Sequence, residues 1–457
     1  MEGVELEAIK DEVDSLVREL ERERARAIAG VELEPGLAHL FVAHPRAAHR
    51  ATVAELRKVG NDALADHVAG LRAERAAAEH EESWRAAEAR AMATGPEGPA
   101  SLAALELAVP REPDRARRLG FASAAAEALK ESASAREAML EASARAGAEV
   151  GLAPDWRGVV LGDELLAATE DAYLEVLLYR ARRDPSLAPA PSGGLARADL
   201  LRLLALVSWD GLFRRGELAA AVRATAAPLR LDLDRIRVDE GDRPAQWPGV
   251  HVTGARLSFR PRRGAGDWQD LLEALGRALA AAHTPPHRRH PAWGAALGWL
   301  FGSLLLEPRW LLERAGVERR HAADLRRDLA LRRLMALRAR AAAFRVASEV
   351  KRGLSGVAWR ETYRDALTRA AGATWDAVRA ARDGDAAEHA AALAGVGAGE
   401  WLRAAVRERF DEDWWRNPRT AEFLAGLLAA GALPDSGDPR EPARAAAVLV
   451  GAMGARA

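Results

Sequence analysis

Apolar residues recur at three- and four-residue spacing along almost the whole chain. Strict alternation appears in only two short stretches, LRLDLDRIRV (229–238) and GVHVTGARLSFR (249–260). A period near 3.6 gathers apolar side chains on one stripe of a helix, whereas a period of 2 gathers them on one face of a strand. The chain is therefore expected to be mainly α, with one small sheet. Leu6, Ile9, Val13, Leu16, Val17 and Leu20 form such a stripe in an amphipathic helix over 4–28. The pattern lasts too few heptads to favour a coiled-coil arm. Helical periodicity continues over about 47–93, 114–150, 161–183 and 196–228. It resumes beyond 267, apart from a Gly- and Asp-rich interruption near 383–399 and a frayed tail from 433. Breaks are expected at TGPEGPAS (94–101) and VPREPDR (109–115). The Pro- and Gly-rich RRDPSLAPAPSGG (182–194) is expected to join two halves, over 1–190 and 195–457. No repeat of solenoid length is present.

The 66 basic and 67 acidic residues give a net charge of -1, with no long block of either sign. Nucleic acid is a poor fit as a partner, because binding phosphates needs a concentrated basic face. The basic residues are nearly all Arg, with Lys only at Lys10, Lys58, Lys130 and Lys351. Ala, Gly and Arg rise together, which points to coding bias rather than to selection for anion recognition. The chain has no Cys, so disulfides, thiolate metal sites and cysteine nucleophiles are excluded. Its opening residues are acidic (Glu2, Glu5, Glu7), with no basic start and apolar run, so no secretory signal is expected. The longest apolar run, AWGAALGWLFGSLLL (292–306), is shorter than the ~20 residues of a membrane span. A soluble cytoplasmic protein with no membrane contact is expected.

Residues 267–310, DWQDLLEALGRALAAAHTPPHRRHPAWGAALGWLFGSLLLEPRW, read as a helix (268–282), a short Pro-containing turn and a second helix (292–306), after a strand at 250–260. That order resembles the oligoendopeptidase-F and thimet-type zinc metallopeptidases. ARLSFRPRRGAGDWQDLLEALGRAL looks like the family's substrate-edge strand running into its H-E-x-G-H-A-L-H helix. WLFGSLLLEPRWL looks like the helix of the third metal ligand, whose pattern is E-x-x-S-x-x-x-E, with Ser303 and Glu307 at the later positions. AGVGAGEWLRAAVRERF (394–410) looks like the family's late Tyr-rich helix. The likeness is clearest from about 250 to 410. It implies a metallopeptidase-like helical clam, with a small sheet (229–260) beside former active-site helices (268–306).

Carried over position by position, Glu273 stands where the first histidine ligand belongs, Ala274 at the general base and Arg277 at the second histidine. Leu300 stands at the third ligand, and Gly276 keeps the family glycine. The oxyanion-binding tyrosines would map to 389–402, where there is none; the tyrosines are Tyr173, Tyr179 and Tyr363. Arg cannot give a lone pair to a metal, and Ala and Leu have none to give. One carboxylate falls short of the three protein ligands of a catalytic zinc site, so neither a metal nor another cofactor is expected. Glu273 and Arg277, at i and i+4 with the acid first, are expected to pair. The alternative has Arg277 facing an open cleft and binding a ligand's carboxylate.

A replacement site would draw on HTPPHRRH, with His283, His287 and His290. Pro285 and Pro286 interrupt a helix there, and Arg288 and Arg289 would repel a cation, so an exposed polar turn is expected. No phosphate loop, dinucleotide fingerprint or nucleophile elbow is present. The thirteen Trp outnumber Tyr and Phe combined. Trp293, Trp299 and Trp310 are expected to pack the cleft-side helices, and Trp414 and Trp415 to plug a bundle end ahead of a helix starting at Pro418. The expected function is that of a pseudopeptidase, inactive as an enzyme, that binds a peptide or protein or serves as a scaffold. Arg277, His251 and Trp293 are its candidate contacts, and the strand at 250–260 is its edge for an extended peptide. The alternative is a zinc-dependent oligopeptidase with a metal site rebuilt from His283, His287 and Glu273.

Overall fold

The computed structural model describes residues 3–152, 156–187, 194–213, 217–260, 264–382, 386–431 and 442–454. The first helix, Gly3–Ile28, buries the expected stripe of Ile9, Val13, Leu16 and Leu20 against helix Asp62–Arg90 and the short elements before it. Arg24 fixes the pair. It donates from Nε and Nη2 to the two carboxylate oxygens of Glu81 (3.0 and 2.7 Å) and from Nη1 to Glu74 (2.8 Å). Helix Arg115–Glu149 then runs along Asp62–Arg90. Between them the TGPEGPAS break folds as a hairpin of β1 (Met92–Gly95) and β2 (Gly98–Ser101).

Hydrophobic residues on both sides of the expected joint at 182–194 share one cluster. Residues 188–193 lie outside the described residues, but Leu187 and Leu195 on either side sit in one hydrophobic cluster that begins at Val159 and reaches Met453. Helix Trp156–Arg183 packs along helix Arg319–Val350, and the Tyr173 hydroxyl donates to the Ala371 carbonyl at 2.8 Å. A separate cluster holds Ile9 through Ala78 together with Val150. Strand β3 (Leu195–Ala196) comes next in the chain.

The sheet stands where it was expected, with different strands. The 229–238 stretch forms a 3-10 turn (Leu233–Arg235) before β4 (Arg237–Glu240). The 249–260 stretch is two strands, β5 (Val250–Thr253) and β6 (Arg256–Phe259), because Gly254, at φ +59°, turns the chain back on itself. β6 is central, parallel to β4 and antiparallel to β5. The hairpin register puts Val250, Val252, Leu257 and Phe259 on one face, packed on the main core. β3 pairs with β7 (Ala373–Thr374) in a separate parallel bridge.

The core helix, Ala265–His283, packs on the sheet and on the second core helix, Pro291–Gly302, after a short 3-10 turn at Pro286–Arg288. Gly276 allows the two helices to touch: a Cβ there would lie 2.3 Å from the Leu297 carbonyl oxygen. The expected interruption near 383–399 falls largely within a helix. Residues 383–385 lie outside the described residues, and from Ala386 a continuous late helix runs to Phe410. Its Gly399 faces Trp299, where a Cβ would come within 2.5 Å of the Trp299 Cβ, so the glycines serve contact rather than chain breaking. Trp414 and Trp415 are buried, and Pro418 opens the next helix, Pro418–Ala430, as expected. Residues 432–441 lie outside the described residues, whereas Pro442–Met453, placed in the frayed tail by sequence, is a helix with Leu449, Val450 and Met453 buried. The protein is mainly α, with a small sheet beside the core helix. No described helix is long and apolar enough to cross a membrane.

Candidate functional site

Two cavities of about 340 and 480 Å3 lie along the core helix. Both are bordered by Val252, Glu273, Arg277 and Arg340, so they meet at these side chains. Asp270, Ala274, Trp299, Arg332 and Arg333 line the first; Arg289, His290, Trp293 and Arg382 line the second. The core helix supplies one wall, strand β5 another, and the long helix Arg319–Val350 closes the far side.

Glu273 and Arg277 occupy adjacent turns above Gly298, where a Cβ would sit 2.9 Å from Arg277 Cγ and 3.2 Å from Glu273 Cγ. The expected ion pair between them does not form. The Glu273 carboxylate lies 3.7 Å from Arg340 Nη2 instead, because the long helix brings competing guanidinium groups to the same space. Burial pushes the Glu273 carboxyl up, but Arg340, then Arg333 and Arg277, outweigh it and hold it below the usual carboxylate value. A carboxylate so held is a weak base. Arg277 has no hydrogen-bond or ion-pair partner among the described residues. Its guanidinium is held below the ordinary value by burial first and then by the positive charge of Arg340.

The remaining sequence-derived positions separate. Ala274 lines the first cavity and Trp293 the second. Leu300 is fully buried in the main core and borders neither cavity; its neighbour Trp299 reaches the wall. His251 borders neither of the two cavities. Strand alternation turns Val250 and Val252 to the cleft and His251 to the opposite face, against the first helix. There its ring packs edge-on to Trp247, and Nε2 meets the Pro248 carbonyl at 2.8 Å. Burial, with Arg382 and Arg85, brings its imidazole down to about 4 despite that bond, so it is neutral.

Zinc does not fit this set of side chains. The residues at the matched positions offer one carboxylate, and among the described residues no group of three or more His, Asp or Glu converges. The rebuilt site is not assembled either. His287 bonds to Asp14 through its backbone N–H and Nδ1 (2.8 and 3.0 Å), while Glu273 faces Arg340. Ser303 and Glu307 keep structural places. Ser303 Oγ donates to the Trp299 and Leu300 carbonyls, and Glu307 accepts from Arg403 (3.0 Å) and Arg407 (2.9 Å). Arg403 also holds Glu400, which accepts from Trp299 Nε1 at 3.1 Å. This network ties the late helix to the second core helix where the family's tyrosines would map.

Sequence reasoning missed Arg332, Arg333 and Arg340. Arg332 binds Asp270 through both Nη atoms at 2.7 Å. Arg333 lies 3.7 Å from the centre of the Trp299 ring and donates from Nη2 to the Trp299 carbonyl at 3.2 Å. The available signal was the seven-residue spacing of Arg333 and Arg340, which puts them on one face of the helix, next to the apolar Leu329, Leu334 and Leu337.

No protein-family model matches the chain, and no curated protein matches it. Solved structures do. A candidate peptidase from Chlamydophila abortus is similar over 93% of this chain and 78% of its own, with a TM-score of 0.51 and 13% identity. PZ peptidase A, solved with an inhibitor, is similar over 93% of this chain and 85% of its own, with a TM-score of 0.51 and 14% identity. A candidate oligoendopeptidase F covers 93% of this chain and 84% of its own, at a TM-score of 0.49 and 15% identity. Likeness at this identity shows the fold alone: the chain has the mainly helical fold of solved peptidases.

Proposed function

We propose that the chain is a catalytically inactive metallopeptidase homologue, a pseudopeptidase that binds a peptide or a segment of a partner protein in its cleft. The observation that carries this reading is the junction of the two cavities, where Arg277, with no hydrogen-bond partner among the described residues, and the weakly basic Glu273 stand; the sequence resemblance sets both at metal-ligand positions. The cleft keeps what binding needs. Among the described residues β5 is an edge strand, paired with β6 alone, and its Val250 and Val252 border the first cavity. An extended chain can add to such an edge through main-chain hydrogen bonds, with side-chain pockets giving selectivity. Hydrolysis by this fold would need a zinc ion, and among the described residues no group of side chains converges to hold one and acidify water. A scaffold role beside an active relative uses the same surfaces. We take the working compartment to be the cytoplasm and the partner to be peptide or protein.

The test is a quenched-fluorescent peptide library with the purified protein, alongside thermal melts with the same peptides. The reading expects binding that raises the melting temperature and no cleavage, with or without added zinc. Cleavage that a chelator abolishes would overturn it.

A further inference from the structure

Arginines outnumber carboxylates along the two cavities, even with Glu21, Asp267 and Glu388 counted beside Asp270 and Glu273. Arg277, Arg332, Arg333 and Arg340 all border the first cavity. Arg332 is committed to Asp270, and Glu273 meets only Arg340, at 3.7 Å. Arg333 is 4% exposed, and beyond its one bond to the Trp299 carbonyl its Nε and Nη1 have no acceptor. Arg277 has no hydrogen-bond acceptor among the described residues, and Glu388 and Glu273 act on it through charge alone. Buried donors without acceptors cost folding free energy, as at Arg333 Nε and Nη1, and a cavity that sets the guanidinium groups of Arg277 and Arg340 beside them is complementary to an anion. A planar guanidinium matches a carboxylate with two parallel hydrogen bonds.

We propose that Arg277, supported by Arg340 and Arg333, binds a carboxylate of the ligand at the junction of the two cavities. Val252 borders both cavities as Arg277 does, so a chain extended along β5 passes the guanidinium. The carboxylate is either the C-terminus of a peptide or an Asp or Glu side chain within it. This inference rests on the peptide-binding reading and names the chemistry that the cleft selects.

The test uses four random octapeptide pools in fluorescence-polarisation titrations with the full chain. They combine a free or amidated C-terminus with Asp and Glu present or replaced by Asn and Gln. The pool without any carboxylate is expected to bind at least about tenfold more weakly than the pool with both, from the loss of charge-assisted hydrogen bonds. A preference that follows the terminus assigns the C-terminal carboxylate, and one that follows the side chains assigns an internal acid. Arg277→Gln is expected to abolish the preference, as is Arg340→Gln in part, while Arg320→Gln, on an exposed turn of the long helix, leaves it unchanged. Equal binding of all four pools by the wild type overturns the inference and leaves the peptide-binding reading standing. A preference retained in folded Arg277→Gln and Arg340→Gln variants also overturns it. A second measurement needs no peptide: N-acetyl-leucine should raise the melting temperature of the wild type but not of Arg277→Gln, and N-acetyl-leucinamide should do neither. That result with no pool bound would sustain the carboxylate site and sink peptide binding. No stabilisation and no binding would sink both.

Discussion

Glu81 shows how strongly single buried charges are fixed in this protein. Burial pushes its carboxyl up, but Arg24 and Arg85 dominate and bring it from 4.5 down to about 2. A carboxylate whose value is depressed on folding adds stability that is fully present above the unfolded value and is lost as pH falls through the folded one. Glu81→Gln, which leaves Arg24 and Arg85 under-satisfied, should therefore cost about 3 kcal/mol near neutral pH. In urea melts that deficit should shrink between about pH 4.5 and pH 2, where the wild type loses the same contribution. A pH-independent gap would count against the ion pair. Leu300 tests the placement of the cleft residues. Leu300→Glu puts an unpaired carboxylate in the main core and should cost about 3–5 kcal/mol, against a clearly smaller loss for Ala274→Glu on the cavity wall. Equal tolerance would mean that Leu300 faces the cavity. Residue identity made Glu273, Ala274 and Arg277 legible, because chemistry at matched positions needs no coordinates. The partner of Glu273 was not legible, since Arg340 comes from a helix some sixty residues on, and the seven-residue spacing of Arg333 and Arg340 marks a shared face without naming what it meets.

Between elements, contact distance decides. Gly276→Ala would place a Cβ against the Leu297 backbone, which cannot give way as a side-chain tip can, and should lower stability by about 2–3 kcal/mol. Gly294→Ala faces only ordinary contacts at 3.9 and 4.0 Å from Arg277 and should be neutral or stabilising by up to about 1 kcal/mol. Urea midpoints of the two variants check this, and a neutral Gly276→Ala would contradict the helix packing. The same glycines explain a misreading. Local propensity casts Gly395 and Gly399 as breakers, but the late helix uses them to lie close to the second core helix, a reason visible only across the interface. Period-2 alternation located the sheet but could not show that Gly254 divides one stretch into two strands. That division sets which face His251 takes.

Across the whole molecule, composition and periodicity sufficed for a mainly helical body, and one hydrophobic cluster has members on both sides of the Pro-rich stretch. Helix Trp156–Arg183 belongs with the C-terminal core, because Leu165, Tyr173 and Leu177 are buried there. Hydrogen exchange should give this helix protection like that of Arg319–Val350. Protection that follows Gly3–Ile28 instead would contradict the shared core. Function at this scale turns on whether the cleft can take up a divalent ion. Equilibrium dialysis of the purified full chain against zinc, with metal counted per chain, addresses that most directly. The account expects well below one zinc per chain and no change on Glu273→Gln; one tightly held zinc per chain, lost in Glu273→Gln, would contradict it.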